Sequence, residues 1–286
     1  MATIAENLEV ISNSLVAIKS AIKAKGVDVN GNITTYASKI ADIPSNVDGY
    51  TPDDIASGLV AGDVHLTTDI VGAYSFYNDT GITSVDAPNV VTIGTYAFYN
   101  INNITSINAP NVTSIGNYAF TAPKVTSVNF PLCTSMGTNC FTNCPTITSI
   151  NLPDLTAVGG SSLNYIGVKN LVLPKVTSIG NSALTNSKTL AYVDLPLCTS
   201  IVNYGLRNNS QLATLILRST TMCTLASNGL NSTKIMNKQG YVYVPAALID
   251  SYKVATNWSK MSSQFRALEE YTIDGTINGE LDSSKI

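Results

Sequence analysis

Apolar positions along most of this chain recur in units of about 22 residues, each ending in the same triplet. The triplets are Ile82/Val85/Ala87, Ile104/Ile107/Ala109, Val125/Val128/Phe130, Ile147/Ile150/Leu152, Val168/Leu171/Leu173, Leu190/Val193/Leu195 and Leu212/Leu215/Leu217. Within each, the last positions alternate apolar and polar, the period of a strand buried on one face. A proline follows at 88, 110, 131, 153, 174 and 196. It ends the strand because it has no donor for a further ladder bond. Glycines keep step at Gly72, Gly94, Gly116, Gly137, Gly159 and Gly180, at intervals of 22, 22, 21, 22 and 21. Four residues beyond each glycine stands Phe76, Phe98, Phe120, Phe141, Leu163 or Leu184. Three residue classes sharing one period predict a tandem repeat.

One such unit cannot bury its apolar side alone, whereas stacked units can. The pattern therefore predicts a repeat solenoid with a parallel β-sheet of seven to eight coils of 21–22 residues over residues 66–240. Seven coils at about 4.8 Å each give a sheet roughly 30–35 Å long. The glycine following each second apolar cluster, such as Val112 and Ile115, is expected to take a backbone conformation closed to larger residues. Helix within the repeats is expected only as a turn near Ala97–Phe98.

The two ends read differently. Ile4, Leu8, Ile11, Leu15, Ile18 and Ile22 are spaced as a heptad, with Lys25-Gly26 closing the helix. That stripe serves either a coiled coil, hence a homo-oligomer, or an amphipathic helix docked on its own domain. A shorter helix over 34–42 ends before Pro44, so residues 1–48 form a helical segment, with 49–65 a linker and N-terminal cap. At the far end, Tyr241–Pro245 reads as a last strand and Ala246–Asn257 as a helix using Leu248, Ile249, Tyr252 and Trp258. Residues 241–271 then cap the open end of the solenoid, protecting an edge that would otherwise recruit other strands. Residues 272–286 form a polar tail.

The unit "VTSIGNYAFTAPKVTSVNFP" (Val112 to Pro131) resembles the BspA-like leucine-rich repeat family, which repeats a strand ending in LP and then an IGxxAF segment. The resemblance runs over about residues 66–245, and the later units drift, with Val202 and Ala226 in the glycine position and Arg218 where proline is expected. "YVYVPAALIDSYKVATNW" resembles the closing segment of such chains. The family contains many bacterial surface and adhesion proteins, so the resemblance implies a binding role and no catalytic residues. Separately, Glu6 to Pro44 resembles N-terminal segments of tail-associated and fibre proteins of phages and prophages from gut bacteria.

Composition narrows the function. Hydrophobic residues make up 44% of the 286 residues and charged residues only 12%, about half the usual ~25%. Thr, Ser and Asn fill the polar positions. A net charge of −3 argues against nucleic acid, which needs a basic stripe. No run reaches ~18 apolar residues, so no membrane insertion is expected. Glu6, Asn7 and Glu9 interrupt the first ten residues, which do not read as a secretory signal.

Enzyme chemistry finds little support. His65 is the only histidine and is expected to be structural or exposed. Cys133, Cys140 and Cys198 occupy apolar columns and read as core thiols, while Cys144 lies near an outer corner. Cys140 and Cys144 have the spacing of half a metal site with no second half, so no metal is expected. Asp274–Asp282 fails the spacing of a calcium loop. No glycine is followed by the Gly-Lys-Ser/Thr of a phosphate loop. No cofactor is implied.

The outward strand positions form columns on the sheet's concave face. One runs Asp86, Asn108, Asn129, Asn151, Val172, Asp194 and Ile216. Its neighbour runs Ser84, Ser106, Ser127, Ser149, Asn170, Tyr192 and Thr214. Such ladders either hydrogen-bond among themselves and solubilise the sheet, or grip a ligand. The ligand-binding candidates are Asp86, Asn108, Asn129, Asn151, Asn170, Val172, Tyr192, Asp194, Thr214 and Ile216. Contact energy is expected to concentrate where Val172, Tyr192 and Ile216 break the polar column. A second candidate is the outer ladder of Tyr74, Tyr96, Tyr118 and Tyr204, accompanied by Tyr77 and Tyr99, serving recognition or edge packing. The expected protein is a non-enzymatic phage or prophage tail-associated protein recognising a host cell-surface protein or glycan. It would reach the exterior on a virion after cytoplasmic assembly. The alternatives are a bacterial cell-surface adhesin and an intracellular scaffold.

Overall fold

The computed structural model describes residues 62–121 and 124–268, with the backbone of 272–273 and 276–277. The N-terminal heptad Ile4–Ile22, the second helix, residues 49–61 and the Asp274–Asp282 loop lie outside the described side chains. The repeats form a parallel β-solenoid of about nine turns. Sheet A contains β1 (Gly62–His65), β2 (Ile82–Asp86), β3 (Ser106–Asn108), β4 (Ser127–Asn129), β5 (Ser149–Asn151), β6 (Asn170–Val172), β7 (Tyr192–Asp194), β8 (Thr214–Ile216), β9 (Tyr241–Val244) and β10 (Phe265–Ala267). A second ladder of two-residue strands follows each proline, for example Thr92–Ile93 and Ser114–Ile115. The fold is the expected one, with strands added at both ends.

Equivalent side chains stack from coil to coil. Phe76, Phe98, Phe120 and Phe141 form a continuous buried pile with ring centroids 5.1, 5.1 and 5.0 Å apart. Leu163, Leu184, Leu206 and Leu230 extend the column, all fully buried. Burying an aromatic or leucine side chain contributes about 1.5–3 kcal/mol, so this spine is the main cohesive element of the repeats.

A second column, of threonines, joins the coils from outside. Thr113, Thr134, Thr156, Thr177, Thr199 and Thr224 each donate a hydroxyl to a main-chain carbonyl one coil back, at 3.1–3.3 Å. Their high frequency is thus a packing device as well as a polar surface.

The glycines serve close approach, not the left-handed backbone expected from the sequence. A Cβ on Gly94 would lie 2.6 Å from the Ala73 nitrogen, and one on Gly116 2.5 Å from that of Thr95. The left-handed positions are instead Tyr74, Tyr96, Tyr118 and Tyr204 (φ 53–62°) at one corner and Asn78, Asn100, Asn186 and Asn208 at the next. Asparagine tolerates this region. Tyrosine does so at a cost of about 1–2 kcal/mol, offset at Tyr74, Tyr96 and Tyr118 by ring packing.

The C-terminal cap covers the last exposed edge of the second ladder, Thr224–Leu225. The Cys223 N–H donates to the Tyr252 hydroxyl, the Trp258 indole donates to the Cys223 carbonyl, and the Asn257 amide donates to the Leu225 carbonyl. Tyr252 and Trp258 are buried and pack with Phe265. Helix α1 (Ile249–Val254) is shorter than expected and lies between two 3-10 segments, Ala246–Leu248 and Trp258–Gln264. β9 is not the last strand, because β10 pairs beside it.

Candidate functional site

Sheet A is not continuous. It is hydrogen-bonded as β1–β2–β3, then β4–β5, then β6 to β10. The breaks coincide with the length of the segment that returns from the second ladder to the next strand. From Ile70 to Ser84, Thr92 to Ser106, Ser135 to Ser149, Ser178 to Tyr192 and Ser200 to Thr214 the chain advances 14 residues, and every strand so reached pairs with its predecessor. From Thr224 to Tyr241 it advances 17, and β9 still pairs with β8. From Ser114 to Ser127 and from Ala157 to Asn170 it advances 13, and these are the two places where pairing fails. The second short return is tight. It crosses the Pro145 carbonyl at Gly167, where any Cβ would overlap that oxygen.

Between β5 and β6 the opening forms a cleft of about 420 Å³. Ile150 and Val172, both half-buried, line it beside the exposed polar groups of Ser149, Asn151, Asn170 and Lys169, with Pro153 and Pro174 also on its wall. Elsewhere Ala191 N–H bonds Lys169 O and Leu173 N–H bonds Asp194 O. Among the described residues the equivalent bonds are not made across the cleft, so main-chain donors and acceptors border it beside two amides. Lys169 is the single charge among its lining residues.

The predicted columns align as read from the sequence: Asp86 with Asn108, Asn129 with Asn151, and Val172 with Asp194 and Ile216. Part of the column bonds to itself. Asn108 donates to Asp86 at 2.6 Å and Asn151 to Asn129 at 2.7 Å. His65 closes the N-terminal end, its Nδ1 lying 2.8 Å from Asp86 Oδ2. Three of the ten candidates are not accessible, contrary to expectation: Tyr192, Asp194 and Ile216 are buried. Arg218 reaches back one coil and grips the Asp194 carboxylate through Nε and Nη2, the latter at 2.9 Å. The Tyr192 hydroxyl donates to the same carboxylate. Ile216 is enclosed in register between Asp194 and Tyr243. Burial holds the Asp194 carboxyl above its usual range, against the opposing pull of Arg218. Thr214 is half-buried, so Asn151, Asn170 and Val172 are the candidates the cleft brings together.

The sequence matches the family described as the BspA type leucine rich repeat region, in six copies over residues 69–191 and 134–239. The chain belongs to this family. Among solved structures, this BspA-type chain is similar to a leucine-rich repeat protein from Bacteroides ovatus. The identity is 14% over 72% of this chain and 83% of the other, with a TM-score of 0.31. A leucine-rich repeat protein of T. pallidum is 19% identical over 64% and 71% of the two chains, with a TM-score of 0.39. A leucine rich cell surface protein from Faecalibacterium prausnitzii is 13% identical over 78% and 83%, with a TM-score of 0.34. No curated protein matches the sequence. None of these comparisons carries the virion setting, and the segment resembling phage tail-associated proteins lies outside the described residues.

The outer tyrosines of this BspA-type solenoid form two parallel piles. Tyr74, Tyr96 and Tyr118 stack at 5.0 and 4.8 Å, and Tyr77 stacks on Tyr99 at 5.1 Å, with edge contacts between the piles. Their faces are covered by one another, leaving mainly edges and hydroxyls outward, which favours the packing explanation. Burial, then the neighbouring phenols, hold the Tyr77 hydroxyl above its usual range. Tyr204 is separate from the piles and lies under the Arg207 guanidinium, 4.9 Å from its ring centre.

The cysteines are all free and buried. Cys144, expected near an outer corner, is fully buried, its thiol directed at the Phe120 and Thr142 carbonyls. Among the described residues no group of three or more His, Cys, Asp or Glu is placed to hold a metal, and no helix is long and apolar enough to cross a membrane.

Proposed function

We propose that this chain is a non-enzymatic recognition protein of the adhesin type, acting at a cell surface, and that it grips a glycan in the cleft between β5 and β6. The observation that carries this reading is the interruption of sheet A beside Asn151 and Asn170. A sugar ring presents hydroxyls that both donate and accept. The amides of Asn151 and Asn170, the Ser149 hydroxyl and the unshared main-chain groups offer the same mixture, while Ile150 and Val172 supply an apolar patch for a ring face. This combination of apolar lining and a few polar groups is characteristic of small-ligand sites. The weakly charged Thr/Ser/Asn surface suits a ligand recognised by hydrogen bonds. Self-association through Ile4, Leu8, Ile11, Leu15, Ile18 and Ile22 would multiply weak contacts into useful avidity.

The test is binding of the full chain to an array of cell-envelope glycans. Asn170→Ala is expected to weaken the strongest signal about tenfold or more, the loss of one or two buried hydrogen bonds. Asn108→Ala, outside the cleft, leaves it unchanged. Equal effects from the two variants, or no glycan bound by the parent chain, would remove the cleft from consideration.

A further inference from the structure

Two of the five buried thiols touch across the last coil boundary. The Sγ atoms of Cys198 and Cys223 are 3.9 Å apart and both residues are fully buried. Cys198 lies two residues before Ser200, and Cys223 one residue before Thr224. Ser200 pairs with Thr224, and Ile201 with Leu225. The two cysteines stand one residue out of register across strands about 4.8 Å apart, an offset compatible with the Cα separation of about 4.4–6.8 Å that a disulfide spans. The same column carries Val90, Val112, Leu155 and Val176 around Cys133, all buried.

We propose that Cys198 and Cys223 are a disulfide-forming pair that staples the last regular coil to the capped one when the protein meets a disulfide-containing, oxidising exterior. Cys223 is the residue on which the cap converges, its N–H and carbonyl bonded to Tyr252 and Trp258. A bond from it to Cys198 therefore fixes to the preceding coil the residue that the cap grips by hydrogen bonds. The hydrogen bond shared with the Cys223 thiol holds the Cys198 thiol below its usual range; Cys198 is taken as the attacking sulfur. Its thiolate attacks a small-molecule disulfide of the glutathione type, forming a mixed disulfide and releasing one small thiolate. The Cys223 thiolate then displaces the second. Two protein thiols are oxidised, one small disulfide is reduced to two thiols, and the two protons leave on those thiols. Burial confines the reaction to moments when the cap opens, or to the chain before the cap closes.

The full chain is exposed to oxidised glutathione during a mild denaturant pulse, returned to native conditions, and weighed intact and after digestion without reductant. The expected result is loss of two hydrogen atoms, one peptide cross-link between Cys198 and Cys223, and a Tm raised by roughly 5 °C or more over the reduced form. Cys198→Val and Cys223→Val, which restore the aliphatic character of the column, each abolish the cross-link while keeping the fold. Stable glutathione adducts without a cross-link, or a cross-link through other cysteines, would overturn the proposal.

Discussion

The two halves of sheet A are built from one repeat, yet their outward faces differ in kind. From β2 to β5 the outward column is Asp and Asn, exposed or half-exposed, and bonded in two pairs, Asn108 to Asp86 and Asn151 to Asn129. From β7 to β8 the same column is Asp194 and Ile216, buried, with a guanidinium closed over the carboxylate. The inward column is apolar throughout and buried except at Ile107 and Ile150, which are half-buried. The inner face thus sets the stacking, while the outer face and the length of each return are free to vary, and the cleft lies where these two regimes meet.

The largest expected effect tests what the halves share. Phe120→Ala removes one of the two inner rings of the four-membered pile and is expected to cost about 3–5 kcal/mol by cavity formation and lost transfer energy. A calorimetric or denaturant melt is the measurement. A loss below about 1 kcal/mol would mean that the coils are not held through this column, and the equivalence of the two halves would go with it.

A smaller effect separates them. Arg218→Gln leaves the Asp194 carboxylate buried without its partner, a change expected to cost about 3 kcal/mol at neutral pH. Burial already raises the Asp194 pKa in the folded chain. A group with a raised folded pKa contributes most to stability when it is protonated and loses that contribution as pH rises through the folded value. Without Arg218 the value rises further. The Tm gap between variant and parent should therefore narrow as the pH falls from about 7 toward the usual Asp range near 4. A gap that is constant over this range would show that the carboxylate reaches water in the absence of Arg218.

Much of this was legible in the sequence. Because three residue classes kept one period, the register of Asp86 with Asn108 and of Val172 with Asp194 could be written down from residue numbers alone. Other features needed the third dimension. The enclosure of Tyr192, Asp194 and Ile216 had one visible sign, an arginine in the proline position one coil beyond an aspartate, but only the stacked strands show that the two meet. In the sequence the glycine column reads as a backbone requirement, because its neighbours along the chain are all that a sequence presents. The actual constraint comes from the previous coil's main chain, about twenty residues away. The 21-residue intervals were visible too. Their consequence depends on where in the coil the missing residue falls, since β1 pairs with β2 at that same interval (Asp63 with Ser84) while β5 and β6 do not pair.

The smallest expected change in stability comes from restoring that residue. Inserting one asparagine between Ile166 and Gly167 lengthens the return from Ala157 to the 14 residues used by every regular strand that pairs. β6 should then join β5, adding a few ladder bonds at the expense of water contacts, with a net change within about 1–2 kcal/mol. Binding should respond far more than stability, because closing the sheet consumes the main-chain groups and moves Asn170 against Asn151. The inserted chain is expected to melt at or slightly above the parent temperature and to lose glycan binding at least as fully as Asn170→Ala. A chain that keeps its binding while amide exchange shows new protection at Leu152 and Lys169 would separate coil length from recognition. The opening between the halves would then be only a defect in the repeat.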